Sequence, residues 1–169
     1  CSVCGILRGS RRSRGSITPF CVKKKGGMQR LVMACRLVNA YFKDSPFTEI
    51  AAAVALASLE TEVDQEGFIA SRDIKACFYQ CGIDEALSEW FCLPTVSGDE
   101  ARGIGINTYD DGRPLPAGAA AVSLSMAVLP MGFSWAFWFV QRLHLEILKR
   151  SDVPTERIAL SHWPFPSLQ

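Results

Sequence analysis

Apolar and polar positions change period several times along the 169 residues, and each change marks an element boundary. Phe20-Cys21-Val22 and Leu31-Val32-Met33 are short β-compatible runs. Lys23-Lys24-Lys25-Gly26-Gly27 lies between them, and its two glycines permit a tight reversal, so the pattern predicts a hairpin with a basic tip. Ser45 and Pro46 then open a stretch where Phe47, Ile50, Val54 and Ala57 recur at helical spacing, which predicts an amphipathic helix over 46–60. Glu60, Glu62, Asp64 and Glu66 form a solvated acidic connector, and 68–74 reads as a strand that delivers Asp73 at its end. A short helix is expected over 84–90, then a strand at Phe91-Cys92-Leu93 stopped by Pro94. The polar, Gly-rich segment 97–116 reads as an insertion or hairpin, with Tyr109-Asp110-Asp111-Gly112 as its turn. From Ala121 to Val128 the alternation is clean: Val122, Leu124, Met126 and Val128 share one side, which is the period of a strand. Leu129-Pro130-Met131-Gly132 breaks it, and 134–150 follows as a helix with its stripe at Phe137, Val140, Leu143 and Ile147. Residues 1–18 show no period and are expected to be a flexible basic arm; 151–169, with Pro164 and Pro166, are expected to be an irregular tail.

Composition changes this picture in three ways. The apolar fraction of 49% and formal net charge of +1 describe an ordinary globular chain, excluding disordered and fibrous classes. The average hides an asymmetry. Arg8, Arg11, Arg12, Arg14, Lys23, Lys24, Lys25 and Arg30 precede every acid in the chain, so a basic lobe stands before an acidic one. That order suits a polyanion at the first and metal ions at the second. Seven unevenly spread cysteines do not form a disulfide framework, which points to an intracellular, reducing compartment. Cys1 and Cys4 have half of a zinc spacing without a second pair, and Cys77 and Cys81 are expected to be buried thiols. Residues 115–141 carry no charge and are long enough for a bilayer, for which about 20 residues suffice, but the alternation, Pro130 and Gly132 favour a strand, a turn and a buried helix. The chain lacks an initiator Met, which suggests a fragment.

Three stretches carry the chemistry. Val22-Lys23-Lys24-Lys25 is followed by Gln29-Arg30-Leu31-Val32-Met33-Ala34-Cys35-Arg36-Leu37-Val38-Asn39; next comes Asp73-Ile74-Lys75-Ala76-Cys77-Phe78-Tyr79-Gln80; last is Leu129-Pro130-Met131-Gly132-Phe133-Ser134-Trp135-Ala136 with Gln141. In that order they resemble the fingers and palm of reverse transcriptases, particularly those of long-terminal-repeat and related retrotransposons. The resemblance covers about residues 19–150. It implies an α+β fold: reverse-transcriptase-like fingers plus a truncated palm, whose ferredoxin-like sheet carries packed helices. It also implies RNA-directed DNA polymerase activity, a template-directed nucleotidyl transfer to a primer hydroxyl with two Mg²⁺ ions, dNTPs and an RNA or DNA template-primer.

By the same resemblance Asp73 is the catalytic and metal-binding aspartate, and the Ile74 carbonyl joins its shell. Phe78 lies beneath the sugar and excludes a 2′ hydroxyl. Arg30 with Lys23 or Lys24 clamps the triphosphate, the lysine register being open by one residue. Gly132, with Met131 beside it, lets backbone approach the nucleotide. The departures limit the expectation. Ala76 stands where many relatives carry an acid, and the family's Tyr-x-Asp-Asp hairpin has no counterpart: Tyr109-Asp110-Asp111 precedes the Leu-Pro-Met-Gly turn and ends in Gly112. His144 and His162 lack partners at ligand spacing. One carboxylate cannot hold two Mg²⁺ ions, so these residues are expected not to polymerise DNA. The alternatives are a non-enzymatic nucleic-acid-binding remnant using arm and hairpin, and a small membrane protein.

Overall fold

The computed structural model describes residues 5–48, 50, 57, 70–154 and 158. Among them the fold is α+β, with five strands in two small antiparallel sheets and five helices. The chain divides into two compact units, Cys1–Asp44 with Ala76–Ala136, and Ser45–Lys75 with Phe137–Gln169.

In the first unit, β1 (Leu7–Ser10), β5 (Ala121–Met126) and β4 (Val96–Ser97) form a sheet in the order β1-β5-β4, with Leu7 opposite Met126 and Val96 opposite Val122. The alternation of β5 does what its period requires: Val122, Leu124 and Met126 are at most 2% exposed. Val122 and Leu124 pack with Ala101, Ile106 and Leu115, and Leu7, Leu93 and Tyr109 close over them. The other face is closed at one end too. Ser125 is fully buried because α3 (Glu85–Ser88) covers it, and its hydroxyl is satisfied by Ser88 Oγ at 2.7 Å while Ser88 donates to the Met126 carbonyl at 2.6 Å. Asp84 caps α3 by accepting the Leu87 N–H at 2.7 Å. A full capping box starts α4 (Gly98–Gly103), where Ser97 Oγ accepts the Glu100 N–H and Glu100 returns the bond to the Ser97 N–H. These bonds pull the Glu100 carboxyl below its ordinary range. Around Phe91, which is wholly buried, the rings of Phe133 and Phe42 stack edge to face, with centroids 4.9 and 5.1 Å apart along the chain of contacts.

The basic hairpin is present as β2 (Thr18–Lys23) and β3 (Gln29–Ala34), closed by Gly26 and Gly27 at φ +82° and +73°. α1 (Arg36–Asn39) follows it, α2 (Cys77–Gln80) is a single turn, and α5 (Ala136–Arg150) leaves the first unit after Ala136.

Five expectations change. Residues 7–18 are not a flexible arm, because β1 pairs with β5 over four residues and Ile17 is 1% exposed. A strand at an irregular, arginine-rich stretch was illegible locally: only Leu7 supplies an apolar side chain, and the partner lies more than a hundred residues away. Residues 70–74 are irregular and exposed, not a strand; Ser71-Arg72-Asp73 offer no apolar face to bury, and 68–69 lie outside the described residues. Phe91-Cys92-Leu93 makes one bridge to Ser125 and no longer strand. Cys77 and Cys81 are half-buried, not buried. The stripe on α5 is not buried: Phe137, Leu143 and Ile147 are 47, 50 and 51% exposed, since helical spacing sets a face without supplying its partner. The turn at 109–112 is as expected, with Gly112 N–H on the Tyr109 carbonyl. Of the helix expected over 46–60, residues 46–48 and 50 are irregular and Ala57 is helical; the rest, the acidic connector and most of 151–169 lie outside the described residues. No helix among the described residues is long and apolar enough to cross a membrane.

Candidate nucleotide-binding site

Strand pairing decides which hairpin side chains can act together. In an antiparallel pair, residues directly opposite point to the same side. Val22 lies opposite Arg30, and Phe20 opposite Val32, so these four share one face. Lys23 lies opposite Gln29 and shares the other face with Cys21, Leu31, Pro19 and Met33. The Lys24 N–H reaches the Met28 carbonyl at 2.8 Å and carries the ladder one step further, which puts Lys24 on the face of Arg30. Lys23 and Arg30 therefore lie on opposite faces of the hairpin, and Lys24 stands one residue beyond β2. Lys23, Lys24 and Arg30 are all exposed.

The hairpin is anchored at its base. The Met33 N–H donates to the Met131 carbonyl at 2.9 Å, and Asn39 uses both ends of its amide on the same turn: Nδ2 donates to the Gly132 carbonyl at 3.0 Å and Oδ1 accepts the Ser134 N–H at 3.1 Å. Gly132 sits at φ +124°, and a Cβ there would run into the Met33 carbonyl, so both backbone conformation and space exclude a side chain. From the other side, the Tyr79 hydroxyl donates to the Leu31 carbonyl at 2.9 Å. Burial pushes the Tyr79 hydroxyl pKa up, with Cys35 and Cys21 adding to it, so it remains a donor. Phe78 precedes Tyr79 on α2 and is half-buried; Met131 is likewise half-buried. Asn39 and Tyr79 were not assigned roles from sequence. Both lie inside the stretches that carry the resemblance, but a side-chain amide and a phenol bonded to distant carbonyls have no local pattern.

Asp73 and Ile74 belong to the other unit. Both are exposed, and Asp73 makes no ion pair among the described residues. Among those residues no group of three or more His, Cys, Asp or Glu is placed to hold a metal. One exposed carboxylate does not fit a two-Mg²⁺ centre, whose ions need several oxygen ligands each. Asp110 and Asp111 are engaged elsewhere: Asp110 Oδ1 accepts the Asp111 N–H, and Asp111 accepts from the Arg113 N–H and Arg11, which hold its carboxyl below the ordinary range.

The arm's cations are largely spent on the fold. Arg8 donates to the Ile83 carbonyl at 2.8 Å, Arg11 pairs with Asp111 at 3.1 Å, and Arg14 pairs with Glu89 at 2.7 Å. A cleft of about 420 Å³ beside them is lined by Arg11, Arg12, Glu85, Glu89, Asp110 and Asp111, a mixed-charge surface unsuited to a polyanion. The hairpin tip, with Lys23, Lys24, Lys25 and Arg30, is by contrast an exposed cluster of cations. Comparison with known proteins found no family model that matches the chain and no curated protein significantly similar to it.

Proposed function

We propose that the chain is the fingers and partial palm of a retrotransposon-type reverse transcriptase, and that its described residues bind a nucleotide and a template-primer without polymerising DNA. What supports the reading is that stretches far apart in sequence, the hairpin, the α2 turn bearing Phe78 and the Leu129 to Gly132 turn, are tied by the Met33–Met131, Asn39–Gly132 and Tyr79–Leu31 hydrogen bonds. On this reading Lys24 and Arg30 present two cations from one face to a triphosphate, Arg30 with the forked geometry that suits phosphate oxygens. Phe78 walls the sugar. The Gly132 backbone is bare for a reason internal to the fold, so its contribution to a nucleotide is carried by its position beside Met131.

The test uses an RNA–DNA template-primer and a matched dNTP. The dNTP is expected to tighten the complex; Lys24→Ala and Arg30→Ala abolish that tightening and each lower the salt slope of binding by about 1, whereas Lys23→Ala retains the dNTP response. Primer extension with Mg²⁺ is expected to give no incorporation. Incorporation that disappears in Asp73→Asn would sink the non-polymerising part. Salt-dependent binding with no response to dNTP would instead establish the non-enzymatic nucleic-acid-binding remnant, a reading favoured by the single, exposed Asp73.

A further inference from the structure

We infer that Cys77 and Cys81 form a two-thiol site for one soft, low-coordinate cation of the Cu(I) class. The two residues are one helical turn apart, Cys77 opening α2 and Cys81 capping it, which puts their side chains on one side of the turn. The Cys81 thiol donates to the Cys77 carbonyl at 3.5 Å, so it is folded back along the turn that Cys77 opens. Neither thiol is buried and neither is in a disulfide. Burial raises the pKa of Cys81, and its electrostatic interaction with Cys77 adds to the rise.

The turn is held rigidly. Tyr79 N–H bonds to the Ala76 carbonyl, Leu129 N–H bonds to the Cys81 carbonyl at 2.9 Å, and Gly82 bridges to Val128, so Cys81 is fixed to the segment that follows β5. Ala76 precedes it in the left-handed region at φ +52°, which sets the direction of the first turn. A pre-positioned pair saves the ordering that a flexible dithiol must undergo on binding.

The donor count selects the ion. No third His, Cys, Asp or Glu among the described residues joins the pair, so a tetrahedral four-ligand zinc centre is not assembled. Thiolates favour soft cations, and hard oxygen-seeking ions such as Mg²⁺ gain nothing from them. A d¹⁰ ion satisfied by two sulfurs matches. Binding is a ligand exchange without electron transfer: two S–H bonds break, two S–Cu bonds form, and two protons leave to solvent. The site is independent of the polymerase-like reading.

The full chain carrying Cys1→Ser and Cys4→Ser, reduced and kept anaerobic, is titrated with Cu(I) supplied as its acetonitrile complex while thiolate-to-copper charge-transfer absorbance is followed. One equivalent is expected to bind. Adding Cys77→Ser or Cys81→Ser weakens uptake by at least about tenfold, and adding Cys21→Ser leaves it unchanged. Equal uptake after loss of either Cys77 or Cys81, or loss of uptake in the Cys21 variant, overturns the assignment. Circular dichroism checks each fold, and Cys77→Ala and Cys81→Ala replace any serine variant that fails it. A second measurement needs no variant at those positions: phenylarsine oxide, a dithiol reagent, is expected to protect Cys77 and Cys81 together from alkylation. Protection of any other pair alone counts against the site.

Discussion

Gly132 shows how much a single residue can be required by packing alone. At φ +124° with the Met33 carbonyl against its α-carbon, it has neither the conformation nor the room for a methyl group. Gly132→Ala is expected to lower stability by about 2 kcal/mol or more, read as a fall in the thermal midpoint. Gly26→Ala is the control: φ is +82° there, but no neighbour lies within 4 Å, so only backbone strain of about 1 kcal/mol is expected. Cys35 makes a different residue-scale case. It is 2% exposed, and burial pushes its thiol from an ordinary 9.0 up to about 12. Because the folded value is raised, the stability it reports is present below about pH 9 and is lost as pH rises through 12. Iodoacetamide at pH 8 should therefore modify the exposed Cys21 in the native chain and reach Cys35 only on unfolding.

At the scale of elements, the hairpin is a ribbon exposed along both strands near its tip and tied through Leu31 and Met33 of β3. Tyr79 supplies a side-chain tie from α2 to β3. Tyr79→Phe keeps the ring and removes the donor, which should cost about 1 kcal/mol and speed amide hydrogen exchange over residues 29–34. Unchanged exchange there would mean that the Met33–Met131 bond and the Asn39 amide hold the base unaided. Legibility at this scale followed the local signal. The hairpin, β5, the turns at 109–112 and 129–132 and α5 were readable because period and turn residues sit within each segment. The short strand β1 was not, since its pairing energy comes from β5.

For the molecule as a whole, the basic lobe read from the first thirty residues separates into two parts with different duties. Arg8, Arg11 and Arg14 bind carbonyls and carboxylates within the fold, while the hairpin lysines and Arg30 remain exposed. Removing residues 1–16 should therefore abolish cooperative thermal unfolding of the sheet, followed by circular dichroism, instead of trimming a dispensable tail. Glu89, 8% exposed, would also lose its Arg14 partner, and an almost buried carboxylate without its cation is costly. The same division explains why arm substitutions should perturb stability while hairpin substitutions perturb ligand binding.

By itself the sequence determined the period of β5, the reversal at Gly26-Gly27 and the turn at Asp110-Asp111-Gly112, because each depends on neighbours within a few residues. Only the tertiary structure decided that residues 7–10 are a strand, that Asn39 and Tyr79 fasten the hairpin, and that the stripe on α5 is exposed. Those outcomes rest on hydrogen bonds and contacts between residues tens to more than a hundred positions apart, whose free energy has no trace in local spacing.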